Sequence, residues 1–171
     1  SKEITTSFTD LQNNFLNSVL LVLITLSIFL GIRQASIAAI SLPLTIMCTL
    51  IWMNLFGISL NFLAVFSLLL AISLIGDDAI VIVQSSKQYQ RKFPPLQAGL
   101  LIFRDYFIPI WTGTLTVVWS FLPLLLASGI IGKFIRPIPI VVSSTLLSST
   151  AIATLVNIPL NIVFAQLNIP G

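Results

Sequence analysis

The chain has 171 residues, 57% of them hydrophobic and 8% charged, with a net charge of +3 and a mean hydropathy of +1.08. No water-soluble core needs that much apolar surface, so the composition specifies an all-α integral membrane protein. There is no histidine, and the single cysteine, Cys48, sits inside an apolar run, which excludes histidine metal sites, catalytic triads, disulfides and cysteine metal clusters within the chain.

The opening SKEITTSFTDLQNN is polar and lacks the pattern of a signal peptide. Residues 1–14 are expected to be an outward-facing lead-in from an earlier segment. Five apolar spans are predicted to follow in a transmembrane bundle over residues 15–165, with a short tail at 166–171. The first span covers 15–30, and Gly31 and Arg33 mark the turn after it. The second, 37–56, contains Pro43, which a membrane helix tolerates when neighbouring groups satisfy the freed carbonyl. Trp52 near its end suits the membrane interface. Gly57, Ser59 and Asn61 make a short connection into a third span, so these two helices are expected to be antiparallel neighbours.

The third span, from Asn61 to Gln84, is apolar enough to cross a bilayer yet carries two adjacent carboxylates, Asp77 and Asp78. A charged group in the membrane costs roughly 2.5 to 3.5 kcal/mol on insertion scales and generally marks an ion or proton path. Adjacent residues on a helix point about 100° apart, so shielding both requires protein on more than one side of the helix. Two like charges so close in a dry site do not both ionise readily, and such a pair can load and release protons. A structural ion pair is the alternative. It needs a base, and all eight Lys and Arg residues lie outside the apolar cores. Lys87, nine positions beyond Asp78, is about 13 Å away along a helix. Any fixed counter-charge is therefore expected from another segment.

Beyond Val83 the sequence turns polar, and Pro94-Pro95 break the helix. Residues 96–106 are predicted as a short surface helix feeding a fourth span at 107–127, with Pro109 and Pro123 near its two ends. Residues 128–139, rich in Gly and Pro, are read as a connecting turn. The last span, 140–164, is lined by Ser143, Ser144, Ser148, Ser149, Thr150 and Thr154, a pattern that lets membrane helices pack closely and hydrogen-bond. The connections after spans one and three carry five basic residues, Arg33, Lys87, Arg91, Lys92 and Arg104, against Lys2, Lys133 and Arg136 on the other side. The positive-inside tendency then places the N-terminus outside and the C-terminus in the cytoplasm. This charge sits in the connections and forms no stripe, so it speaks for orientation and against nucleic-acid binding.

The run AISLIGDDAIVIVQ resembles the fourth transmembrane helix of resistance-nodulation-division (RND) efflux transporters, with its Asp-Asp pair followed by Ala-Ile-Val. TGTLTVVWSFLPLLLASGIIGKFIRPIPI resembles the same family's fifth span, outward Gly-rich loop and the start of the sixth. GISLNFL and the Pro43 span resemble its third-to-fourth helix region. The likeness runs in order from about Leu11 to Leu160. It implies spans two to six of the first half of a twelve-helix, homotrimeric pump of the bacterial inner membrane. In that family the Asp pair, here Asp77 and Asp78, relays protons, and a lysine in the other half is its counter-charge. The resemblance further implies no cofactor beyond the proton-motive force and no enzymatic activity. It also implies a periplasmic adaptor and outer-membrane channel as partners, and export of hydrophobic or amphiphilic compounds. Gln84-Ser85, Ser73 with Gly76, and Asp105-Tyr106 depart from the family's usual residues.

Two other readings stay open. One is a related proton-driven lipid exporter or protein-secretion component. The other is an intramembrane aspartyl protease, since Gly76-Asp77 loosely matches a Gly-Asp active-site sequence. That chemistry needs two aspartates on facing helices sharing a proton, whereas the Asp77-Asp78 pair is adjacent on one helix and Asp105 lies at a membrane border.

Overall fold

A computed structural model describes residues 32–167 together with scattered helical positions between 13 and 28. Residues 1–12 of the lead-in expected at 1–14, most of the first expected span and residues 168–171 of the expected tail lie outside the described residues. The described part is all helical: α1 (Ile32–Leu55), α2 (Phe62–Gln90), α3 (Pro95–Leu125), α4 (Gly129–Ile135), α5 (Pro137–Ile152), a π-helical turn at Ala153–Asn157, and α6 (Ile158–Leu167).

The connection between α1 and α2 follows from its residues. Gly57 takes φ 65°, a conformation open to glycine. The Ile58 N–H then donates to Met53 O at 2.9 Å and the Gly57 N–H to Asn54 O at 3.1 Å, the paired bonds of a Schellman ending. Ile58 folds back onto Met53, Ala64, Leu68 and Val141. Asn61 then caps α2, its side chain accepting from the Ala64 N–H at 2.9 Å. At the other end of α2 the chain turns through Arg91 to Pro94, and Pro95 opens α3 as its first residue, where a missing N–H costs nothing.

The hydroxyl-rich α5 occupies the middle of the bundle and packs on α1, α2 and α3. Its buried face is made of small residues, Ser144, Thr145, Ser148, Ser149 and Thr150. Facing it, α1 buries Ser41, Thr45 and Thr49, each bonded to the carbonyl four residues earlier in its own helix. Small, internally satisfied hydroxyls let backbones approach without stranding a donor in an apolar medium. The packing role expected for the small polar series of the last span is thus what most of it performs.

Among the described residues, two helical stretches are long and apolar enough to cross a membrane, Pro95–Leu125 and Gly129–Leu167, while Ala39–Leu55 and Phe62–Ile72 are shorter apolar stretches. In α2 the apolar run is interrupted by Asp77-Asp78, and α1 begins with the polar Arg33-Gln34. Three details differ from the sequence expectation. Residues 96–106 form no separate surface helix, because α3 runs unbroken for 31 residues, about 46 Å at 1.5 Å per residue. Pro109 and Pro123 lie inside it. Residues 128–139 contain the helix α4, started by Gly129 at φ 81°.

Gly132 locks α4 against the end of α3. A Cβ on it would fall 2.0 Å from the Ala127 carbonyl oxygen, and backbone cannot yield as a flexible side chain can. Gly132→Ala is expected to destabilise the protein by about 1–3 kcal/mol, read as a lowered Tm in detergent together with faster hydrogen exchange over 129–135.

The last span is interrupted by the π-helical turn at Ala153–Asn157, and Pro159 gives its cause. Proline cannot donate to the carbonyl four residues earlier, and a widened turn relieves the crowding. Two buried amides secure the turn. The Ser41 hydroxyl meets the Asn157 side-chain amide, and Asn161 Nδ2 donates to the Asn157 carbonyl at 2.9 Å. Ser41→Ala is expected to lower stability by about 1 kcal/mol, the scale of interhelical hydrogen bonds in membranes, measured by reversible unfolding in mixed micelles.

Candidate functional site at the half-buried carboxylate

Among the described residues, two apolar clusters pack toward opposite ends of the bundle. Met53, Ala64, Leu68 and Val141 form one, and Ile82, Ile102, Ile110, Ala153 and Ile158 the other. Between them, where α2, α3 and α5 meet, the sequence places Asp78, Thr114 and Thr150. Asp78 follows Leu68 by ten residues, about 15 Å, and precedes Ile82 by one turn. Its position on α2 is therefore set by apolar residues docking on both sides of it.

The Thr150 hydroxyl donates to Asp78 Oδ2 at 2.6 Å. The Thr150 and Thr114 hydroxyl oxygens are themselves 2.6 Å apart. Thr150 is fully buried and Thr114 nearly so. A threonine has one proton to give, and an ionised carboxylate only accepts. With Asp78 charged, Thr150 spends its proton on the carboxylate, so Thr114 must be the donor to Thr150. The three side chains form a directed hydrogen-bond chain from α3 through α5 to α2. Thr154, one turn on, returns its hydroxyl to the Thr150 carbonyl at 2.8 Å, holding that stretch of α5 where it meets the π-helical turn.

One wall of this junction opens into a cavity of about 400 Å³ lined by Asp78, Leu74, Val81, Ile110, Gly113 and Thr114, among others. It lies along the flank of α2 and α3. Val81 and Leu70 on α2 and Ile108 and Leu115 on α3 are exposed. This flank is not covered by the described residues. Asp77 belongs to the same turn of α2, and its side chain lies outside the described part of the structure.

Asp105 is not brought to Asp78. It accepts from the Tyr89 hydroxyl at 2.8 Å and pairs with Arg104 at 2.8 Å. Tyr89 stands eleven residues beyond Asp78, about 16 Å along α2, so the facing pair of aspartates that peptide cleavage requires is not formed. The Tyr89–Asp105 bond instead ties together the ends of α2 and α3 that project past their apolar spans.

The sequence singles out Asp78 but not the hydroxyls that meet it. Thr150 reads with its neighbours as packing, and Thr114 as part of the family-like run. The available signal was that both are β-branched hydroxyls in the middle of apolar helices, where an unpaired hydroxyl is costly.

The sequence profile of the AcrB/AcrD/AcrF family matches residues 1–163. Among curated proteins, the multidrug resistance protein MdtC of Pectobacterium atrosepticum is 31% identical over 155 residues, which is 90% of this chain and 15% of that protein. MdtC of Klebsiella pneumoniae is 32% identical over 155 residues, with the same coverage. MdtC of Escherichia coli K12 is 32% identical over 145 residues, 84% of this chain and 14% of its own length. The chain thus spans about 15% of the length of the curated relatives it matches. Matched along nearly its whole length, the chain belongs to the AcrB/AcrD/AcrF family of RND transporters.

Proposed function

We propose that this chain forms the proton-relay part of a proton-coupled exporter of hydrophobic or amphiphilic compounds, with Asp77 and Asp78 as the groups that load and release protons. Family membership makes it a multi-pass helical protein of the bacterial inner membrane. The observation that carries the reading is the Thr114–Thr150–Asp78 chain, which joins three helices through a carboxylate between two apolar clusters.

The chemistry follows from proton counting. Ionised Asp78 holds Thr150 by a charge-assisted hydrogen bond, roughly twice as strong as a neutral one. Protonated Asp78 has its own O–H to place. Donating it to Thr150 obliges Thr150 to turn its proton toward Thr114. Protonation thus reverses the order of donors across three helices and weakens the tie between α2 and α5. A helix released in this way can tilt, and that movement can be passed to distant parts of a pump. The driving force is adequate, since ~100 mV of membrane potential gives about 2.3 kcal/mol per charge moved.

In this proposal the five spans over 15–165 follow the order predicted above, with the lead-in outside and the tail at 166–171 in the cytoplasm. The open flank beside Asp78 receives the remaining half of the transporter, which supplies a basic counter-charge. The name shared by the relatives, multidrug resistance protein, supports drug-like cargo. A homotrimer working with an adaptor and an outer-membrane channel is the assembly the family suggests. The test is proton-dependent export by the intact parent carrying Asp77→Asn or Asp78→Asn. Undiminished export by both variants would end this reading.

A further inference from the structure

At the end of the bundle away from Tyr89, a second cavity of about 300 Å³ is lined by Phe56, Ile58, Lys133, Arg136, Pro137 and Ile140. Two cations and four apolar residues share its walls. Lys133 and Arg136 are three residues apart across the junction of α4 and α5, so their side chains leave the same face and repel each other unless an anion lies between them. The acidic side chains that the structure describes are engaged elsewhere, Asp78 with Thr150 and Asp105 with Tyr89 and Arg104.

The surroundings indicate what kind of anion fits. Around Lys133, Leu126 at the end of α3 and Ile130, Ile131 and Phe134 of α4 point outward, with 85%, 90%, 74% and 66% of their surfaces exposed. A seven-residue helix that exposes so much apolar surface beside two cations has the composition of a segment lying at a bilayer interface. Its basic side chains can reach the headgroup level while their stems stay in apolar contact. The site is also held in shape. Gly132 seats α4 on Ala127, and the Schellman turn anchors Ile58 in the core while leaving Phe56 exposed and stacked on Trp52 at 5.9 Å.

We propose that this cavity is a binding site for an anionic phospholipid. Its phosphate sits between Lys133 and Arg136, and an acyl chain runs along Phe56 and Ile140. A free phosphate would use the cations and leave the apolar walls idle, whereas an anionic diacyl lipid uses both. The bound lipid fixes the depth of α4 in the membrane and screens the two like charges. The inference stands apart from the proton-relay reading, because it concerns a cavity that shares no lining residue with the one beside Asp78 and has its own readout.

The experiment is native mass spectrometry of the intact parent transporter taken from nanodiscs of mixed phosphatidylglycerol and phosphatidylcholine. The wild type is expected to retain phosphatidylglycerol in preference to phosphatidylcholine. Lys133→Gln/Arg136→Gln should lower that preference by about tenfold, and Lys133→Arg/Arg136→Lys, which keeps both charges, should leave it near the wild-type value. An unchanged preference in the Gln variant overturns the proposal. So does a wild type in which Lys133 is protected from acylating reagents in lipid-free detergent, because an acidic protein segment would then fill the cavity. A Gln variant that loses both the lipid and its fold would be separated by the Arg/Lys swap combined with Phe56→Ala, which keeps the charge but removes an apolar wall, and must still lose retained lipid.

Discussion

Asparagine at position 78 is expected to reduce export by the intact parent to background while leaving its abundance and assembly unchanged. The two side chains have nearly the same shape, and the asparagine carbonyl can still accept from Thr150, whose bond to Asp78 Oδ2 is 2.6 Å long. The junction of α2, α3 and α5 therefore stays closed. What is lost is the change of charge. An amide does not titrate, so the donors in the Thr114–Thr150 chain keep one order at all times and proton binding can no longer alternate the helix contacts. Efflux of a fluorescent amphiphile from energised cells, corrected for protein level, reads this directly. Asp77→Asn is expected to behave in the same way, because the proposal has the two carboxylates loading protons as one pair.

Thr150→Val should have the second largest effect. Valine matches threonine in shape but has no proton to give, so the half-buried Asp78 carboxylate loses a donor and Thr114 loses its acceptor. Hydrogen bonds to charged groups contribute about 1.5–3 kcal/mol, and about 1.4 kcal/mol corresponds to a tenfold change in rate. Export is accordingly expected to fall by about tenfold or more. Thr150→Ser keeps the hydroxyl and should restore most of it. If Thr150 served only to pack α5 against α2, Val would be tolerated as well as Ser, and the order of the two variants would reverse or vanish. The same comparison at Thr114 should give a smaller loss, since that hydroxyl meets the carboxylate only through Thr150.

The legible parts of the sequence were those governed by local rules. Gly57 and Asn61 end and cap their helices as their chemistry requires, Pro95 starts α3, and the apolar runs became helices. The small hydroxyls of α5 packed closely, as residues of that size do in membranes. Features that needed a second helix were not legible. That Thr150 meets Asp78, 72 positions away in the chain, depends on the register of α5 against α2, which apolar clusters at both ends set jointly. The π-helical turn depends on Pro159 and on Ser41 reaching Asn157 from α1. The unbroken length of α3 was obscured because Arg104 and Asp105 look like a break in an apolar pattern. In the structure they sit where α3 projects beside α2, bound to each other and to Tyr89. Asp78 stood out for the opposite reason, being costly in its surroundings wherever the neighbouring helices lie.

The most direct test of the central claim is substrate-dependent proton flux in proteoliposomes of the intact parent under an imposed pH gradient, followed with a trapped pH dye. Wild-type protein should show proton movement that starts when substrate is added, Thr150→Val a strongly reduced flux, and Asp78→Asn none. Substrate-dependent flux of wild-type size through the Asp78→Asn protein would contradict the account, because protons would then cross without the carboxylate on which the three-helix junction is built.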